Sequence, residues 1–170
     1  HKMQQDLSNE YAVTDKNIKL SVITDQSNIP FRMLDEDSTR KAVLLVNALP
    51  NGVQTMSADV EGLVETSLNL GVLELNYQEM TLSYAVRSSV GSAKEALLDQ
   101  MVYICQAIGA EAEISGNYPA WEYKRDSAFR DKLAAVYERM YGKAPVVEAI
   151  HAGLECGLLA GKLPGLDCIS

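Results

Sequence analysis

The sequence VETSLNLGVLEL, residues 64–75, is followed by the polar tetrapeptide NYQE and then by MTLSYAV, residues 80–86. Both outer stretches alternate between apolar and polar side chains, which is the period of a half-buried strand. The apolar side chains of the second stretch fall on one face: Met80, Leu82, Tyr84 and Val86. The pattern predicts an antiparallel hairpin with residues 76–79 as its turn.

Helical spacing of apolar residues over 38–49, 92–108 and 127–141 predicts three helices around this hairpin. Ser92 and Glu95 form a capping box that marks the start of the second helix. Helices and antiparallel strands in this order are typical of an α+β fold, in which helices cover one face of an antiparallel sheet.

Two shorter alternating segments, residues 17–24 and 111–115, are predicted to add strands to this sheet. The final residues have a different character. Apolar segments at 146–150 and 166–169 flank a short helical pattern at 154–160, which predicts a βαβ unit of a parallel sheet. A lone βαβ unit cannot bury itself, so its sheet is expected to continue in residues outside this chain.

The chain has 170 residues, with 15 Lys and Arg against 23 Asp and Glu, and a formal net charge of −8. This acidic balance makes nucleic acid an unexpected partner. With no apolar run of about 18 residues and no apolar segment near the start, neither a membrane span nor a signal peptide is predicted, so a cytoplasmic location is expected. The three cysteines are widely spaced in apolar segments and are interpreted as reduced thiols.

Two places in the sequence could bind a ligand. The first is the glycine-flanked turn HAGLECG, residues 151–157, where a predicted parallel strand meets a helix and free N–H groups could hold an oxygen. The alternative is that its glycines only permit tight packing and that Glu155 only favours the helix start. The second is Arg87, predicted to point away from the face of Tyr84 and Val86 and able to bind a carboxylate bidentately. The alternative is a solvated arginine at a strand end.

His1 and His151 are the only histidines, and the chain has no H-x-D, HExxH or CxxC motif. A metal site needs three or four ligands at suitable spacing. The chain is therefore not expected to bind a metal by itself.

Four blocks of sequence carry a resemblance to a known family: NALPNGV at 47–53, VETSLN at 64–69, YPAW at 118–121 and IHAGLECG at 150–157. In this order they resemble the aminoacyl-histidine dipeptidases of the M20 metallopeptidase family. The resemblance covers roughly residues 41–170.

The resemblance implies a cytosolic hydrolase that cleaves Xaa-His dipeptides, using two zinc ions, or other divalent ions, with a bridging water and a glutamate base. It also implies a ferredoxin-like lid domain inserted into a catalytic α/β domain. Residues 1–144 would then be an incomplete lid, and residues 145–170 the return into the catalytic domain. The expected partners are a dipeptide, the catalytic-domain segments outside this chain and a second copy in a homodimer.

The metal-binding motifs of the family have no counterpart here, so the chain alone is expected to be inactive, with neither catalytic nor metal-ligating residues. By resemblance, Arg87 grips the substrate's terminal carboxylate, and four residues line the pocket: His151, Gly153, Leu154 and Glu155. The competing hypothesis is a stand-alone ferredoxin-like module that binds a small ligand or dimerises through its sheet.

Overall fold

A computed structural model describes residues 2–23, 33–151 and 155–170 of the chain. The chain divides into two compact units, His1–Met33 and Leu34–Ser170. The division between residues 144 and 145, which the sequence indicates, stays a prediction.

Among its described residues, the first unit contains helix α1 (Lys2–Glu10). The amide group of Gln4 donates a hydrogen bond to the carbonyl of Ile18, at 2.9 Å, and accepts one from the backbone N–H of Leu20. Residues 17–23 form no strand, and the predicted strand at 17–24 is wrong over this described part. The side chain of Gln4, and not a neighbouring strand, binds the backbone groups of Ile18 and Leu20. Thr24, the last residue of the predicted strand, lies outside the described residues.

The second unit begins with helix α2 (Glu36–Ala48), close to its predicted bounds. The helix starts at Asp35, whose carboxylate accepts a hydrogen bond from the backbone N–H of Ser38 at 2.7 Å. That hydrogen bond is the main reason why the pKa of Asp35 is lowered. Pro50 follows the end of the helix.

Three antiparallel strands form a sheet in the order β1-β2-β3: β1 (Gly52–Met56), β2 (Val64–Leu75) and β3 (Met80–Ser88). The predicted hairpin of β2 and β3 is confirmed. In its turn, the side-chain oxygen of Asn76 accepts hydrogen bonds from the backbone N–H groups of Gln78 and Glu79. This local bonding is the usual way in which an Asn stabilises a turn.

In the described part of the chain, the sheet is followed by the helices α3 (Gly91–Ala107), α4 (Ala128–Tyr141) and α5 (Glu155–Lys162). The predicted capping box of α3 does not form, because Gly91 already belongs to the helix and its N–H donates to the Glu122 carboxylate at 3.3 Å. The helices and the antiparallel sheet confirm the predicted α+β class. Each described helix is too short or too polar to cross a membrane.

The core lies between the sheet and helices α2 and α3. Its buried apolar side chains are Leu45, Leu49, Leu68 and Leu97. Leu68 of β2 is paired with Val86 of β3, and α3 packs against both β3 and α2. Helices α2 and α3 therefore cover one face of the sheet, the face of Leu68 and Val86.

Three further predicted strands are absent from the described residues, at 111–115, 146–150 and 166–169. Segment 111–115 is separated from β3 by a groove of about 860 Å³, lined by β3, α3 and residues 110–118. A strand requires a neighbouring strand at about 4.8 Å for its hydrogen bonds. Because the groove lies between segment 111–115 and β3, the segment does not have β3 as such a neighbour. Of the predicted βαβ unit, the helix is present as α5, while its two flanking segments pair with no strand of the described sheet.

Replacing Leu68 by alanine tests the assignment of the core. Leu68 is only 2% exposed, so we expect Leu68→Ala to lower the free energy of unfolding by about 2–4 kcal/mol. Leu73→Ala on the same strand is the control, because Leu73 is 49% exposed. Urea denaturation of both variants measures the difference, and equal losses would contradict this core.

Candidate functional site

The register of β2 and β3 places Ser67 directly opposite Arg87. Leu68 and Val86 form the next pair on the face covered by helices, so Ser67 and Arg87 lie on the opposite face. We call this the open face of the sheet. Arg87 is exposed there, in the orientation that the alternation of β3 predicts.

His151, from a distant part of the sequence, reaches the open face. Its Nε2 atom lies 2.7 Å from the Oγ of Ser67, within hydrogen-bond distance. The ring is half-buried and borders the same cleft as Arg87. Two residues that the sequence singled out separately are thus brought together.

The cleft is formed by four segments: the end of β3, the loop at 118–121, residues 150–151, and α5. Its lining residues are Arg87, Ser88, Ser89, Tyr118, Pro119, Ala120, Trp121, Ile150, His151 and Gly157. Its volume is about 40 Å³. Because one water needs about 10–15 Å³ by this measure, the cleft has room for a few water-sized groups, such as a carboxylate.

Lys94 fixes the loop wall of the cleft to helix α3. Its ammonium group donates hydrogen bonds to the side-chain oxygen of Asn117, at 2.8 Å, and to the carbonyl of Tyr118, at 2.5 Å. The same group lies 5.7 Å from the centre of the Tyr118 ring, within cation–π range. The loop is therefore held close to the strand end that carries Arg87.

Helix α5 packs closely on the same loop through two glycines. A Cβ atom on Gly157 would lie 3.0 Å from the carbonyl oxygen of Pro119, and one on Gly161 would lie 2.6 Å from the Pro119 ring. Only residues without a Cβ allow this approach without a shift of helix or loop. For Gly157, the packing interpretation that the sequence left open therefore has a structural basis.

The residues after α5 attach to the start of α4. The Asp167 carboxylate accepts hydrogen bonds from the buried Ser127 hydroxyl, at 2.9 Å, and from the backbone N–H of Phe129, at 3.2 Å. Partial burial opposes ionisation of Asp167, but these hydrogen bonds and the nearby Lys124 lower its pKa below the ordinary 3.8. The ionised carboxylate thus stabilises the N-terminus of α4.

Among the described residues that line the cleft, Arg87 carries a positive charge and His151 is a titratable neighbour. Burial lowers the pKa of His151 below its ordinary 6.5, and the positive charge of Arg87 lowers it further. A neutral ring is therefore favoured near pH 7. Arg87 then supplies the charge of the cleft, while His151 supplies a neutral polar group.

The other sequence-predicted site residues lie elsewhere. Glu155 is exposed as the first residue of α5 and does not line the cleft, whereas Gly153 and Leu154 lie outside the described residues. The sequence did not indicate a role for Ser67, nor for Trp121, which lines the cleft. A serine in an alternating strand carries no local signal of a partner 84 residues away.

Within residues 2–23, 33–151 and 155–170, no three His, Cys, Asp or Glu side chains are grouped to hold a metal ion. The three thiols of the chain are free and half-buried. Burial is the main reason why the pKa values of Cys105 and Cys168 are raised, which disfavours reactive thiolates.

The fold and cleft define an α+β unit that presents one guanidinium in a small cleft beside a neutral histidine, an arrangement suited to an anionic group. No protein-family model matches the chain. It is 34% identical to the cytosol non-specific dipeptidase of Escherichia coli (strain K12), over 98% of this chain and 34% of that protein. The crystal structure of aminoacylhistidine dipeptidase from Vibrio alginolyticus matches with a TM-score of 0.81 and 32% identity, over 96% of this chain and 33% of that one.

These matches confirm the resemblance to dipeptidases that the four sequence blocks indicate. They also confirm that the α+β fold is that of a dipeptidase fragment. The chain spans about a third of the length of each relative.

The packing of α5 on its loop can be tested at Gly161. We expect Gly161→Ala to lower the free energy of unfolding by about 1–3 kcal/mol, because the new methyl group overlaps Pro119. In the control Gly91→Ala, the new methyl group has ordinary contacts, so stability should be unchanged or higher by up to about 1 kcal/mol. Thermal and urea unfolding measure both, and a stabilised Gly161→Ala would contradict the close approach.

The titration of His151 tests the electrostatics of the cleft. Its pKa is lowered in the folded chain, so the unfolded chain binds more protons in the window just below pH 6.5. The contribution of His151 to stability is therefore present above pH 6.5 and lost as the pH falls through this window. We expect Arg87→Gln to raise the pKa of His151, measured by NMR, and Arg125→Gln, at an ion pair with Asp59, to leave it unchanged.

Proposed function

We propose that this chain is part of a metal-dependent, cytoplasmic dipeptidase that hydrolyses dipeptides such as Xaa-His. The support is the similarity to two dipeptidases over nearly the whole chain, one named for the cytosol and one for aminoacylhistidine substrates. A match of this length at more than 30% identity, with the same fold, makes a shared activity the simplest inference.

Within such an enzyme, the role of this chain is to grip the terminal carboxylate of the substrate. The observation that carries this role is the meeting of Arg87 and His151 in one cleft. A planar guanidinium matches a carboxylate with two parallel hydrogen bonds, and a neutral histidine beside it adds a polar contact without a second charge. One negative charge of the substrate then meets one positive charge of the cleft.

Grip at the carboxylate end orients the scissile bond and helps to exclude water when the domains close, which is how a lid contributes to catalysis. Gly153, Leu154 and Glu155 are proposed to complete the pocket beside His151 together with segments outside this chain. The ferredoxin-like lid over residues 1–144 and the catalytic fragment over 145–170 belong to the same proposal.

The described residues do not supply a metal site, so two zinc or other divalent ions would have to be bound by residues outside this chain. Bound metal ions of this kind provide an activated water for hydrolysis. The isolated chain is accordingly proposed to be inactive. A second copy in a homodimer remains a proposed partner.

The alternative of a stand-alone module for small-ligand binding or dimerisation is not favoured. The similarity to dipeptidases covers 98% of the chain and so includes residues 145–170. A self-sufficient α+β module would have no need of that segment.

Discrimination between a dipeptide and its C-terminal amide tests the role of Arg87. In the longer protein, Arg87→Ala should raise KM for the free dipeptide by about 10- to 150-fold, the effect of losing a hydrogen bond to a charged group. The amide has no carboxylate, so its hydrolysis should change little. The ratio of kcat/KM for the free dipeptide to that for its amide should therefore fall in Arg87→Ala.

Arg125→Ala is the matched control, because Arg125 pairs with Asp59 and does not line the cleft. Metal content, measured on each purified variant, should equal that of the wild type. A longer protein that does not cleave dipeptides, or an Arg87→Ala variant that keeps the full preference for the acid, would contradict the proposal.

A further inference from the structure

Ser67, on strand β2, makes a side-chain contact with His151, which is distant in sequence. The Ser67 hydroxyl and Nε2 of His151 lie 2.7 Å apart, and both residues are half-buried. Ser67 does not line the cleft itself. Ser67 therefore contacts the cleft indirectly, through the ring of His151.

We propose that Ser67 is a positioning residue, which holds the His151 ring at the level of Arg87 on the open face of the sheet. Ser67 and Arg87 are directly paired across β2 and β3, and paired residues on one face have Cβ atoms about 4.5–5.5 Å apart. A ring bound to Ser67 is thereby brought beside the guanidinium. This positioning role matters for catalysis only if the proposed dipeptidase function is right, and in that sense it rests on the proposed function.

The charges around the ring agree with this placement. Burial first, and then the charge of Arg87, lower the pKa of His151, and the second effect requires that the two side chains be close. The other titratable side chain that lines the cleft is that of Tyr118. Glu65, two residues before Ser67 on the same face, accepts a hydrogen bond from Thr55 at 3.0 Å.

The test is a double-mutant cycle read at His151. The chain has two histidines, so a ¹⁵N-histidine-labelled sample gives two ring titrations by NMR, and His1→Gln assigns them. In the wild-type chain, Arg87→Gln should raise the pKa of His151. In a Ser67→Ala chain, the same replacement should leave the pKa of His151 unchanged, because the ring is no longer held beside Arg87.

Ser67→Thr keeps a hydroxyl and should restore the effect of Arg87→Gln. Ser83→Ala, an exposed serine on β3, is the matched control and should behave as the wild type. Thermal unfolding checks that each variant folds. If Ser67→Ala does not fold, Ser67→Cys, of similar size but with a weak donor, replaces it in the cycle and should give a reduced effect.

An equal effect of Arg87→Gln with and without the Ser67 hydroxyl would overturn the proposal, as would the absence of any effect in the wild-type chain. In the longer protein, Ser67→Ala should raise KM for a free dipeptide by about 2- to 12-fold, the factor of one neutral hydrogen bond, with rescue by Ser67→Thr. The NMR cycle does not depend on hydrolysis. A positive cycle with no dipeptide cleavage would refute the proposed function and leave the positioning role in place.

Discussion

The antiparallel register of β2 and β3 is the constraint on which the core and the cleft both depend. It pairs Leu68 with Val86 under the helices and Ser67 with Arg87 on the open face. Since side chains alternate along a strand, a slip of β3 by one residue would bury Arg87 under α3 and expose Val86. The irregularity between Leu70 and Val72 falls beyond these pairs, toward the hairpin turn, and so leaves their register intact.

Local signals in the sequence were sufficient for the helices and the hairpin. Helices α2, α3 and α4 and strands β2 and β3 follow from spacing, because their hydrogen bonds join residues near in sequence or across one short turn. Predicted strands are wrong at 17–23 and 111–115, where a period of two is present, and at 146–150 and 166–169, which are apolar segments. For all four segments, the described residues provide no strand to pair with. Alternation indicates the capacity to form a strand, and the partner decides whether it forms.

The candidate site shows the same limit. Arg87 was predicted from its place at the end of an alternating strand, and His151 from a glycine-flanked turn, but their meeting in one cleft was not. That meeting depends on Ser67 and on the close packing of α5 against Pro119, neither of which has a local sequence signal. The alternative that Gly157 serves packing is compatible with ligand binding, since the loop against which Gly157 packs is a wall of the cleft.

The groove beside β3 has a consequence for the behaviour of the chain in solution. Within the described sheet β3 is an outer strand, and the groove along it leaves part of its backbone without a strand neighbour. Unpaired N–H and C=O groups on a strand edge are a template for edge-to-edge association with another molecule. The isolated chain can therefore associate with other copies through this edge even when it is folded. Its degree of association should rise with protein concentration.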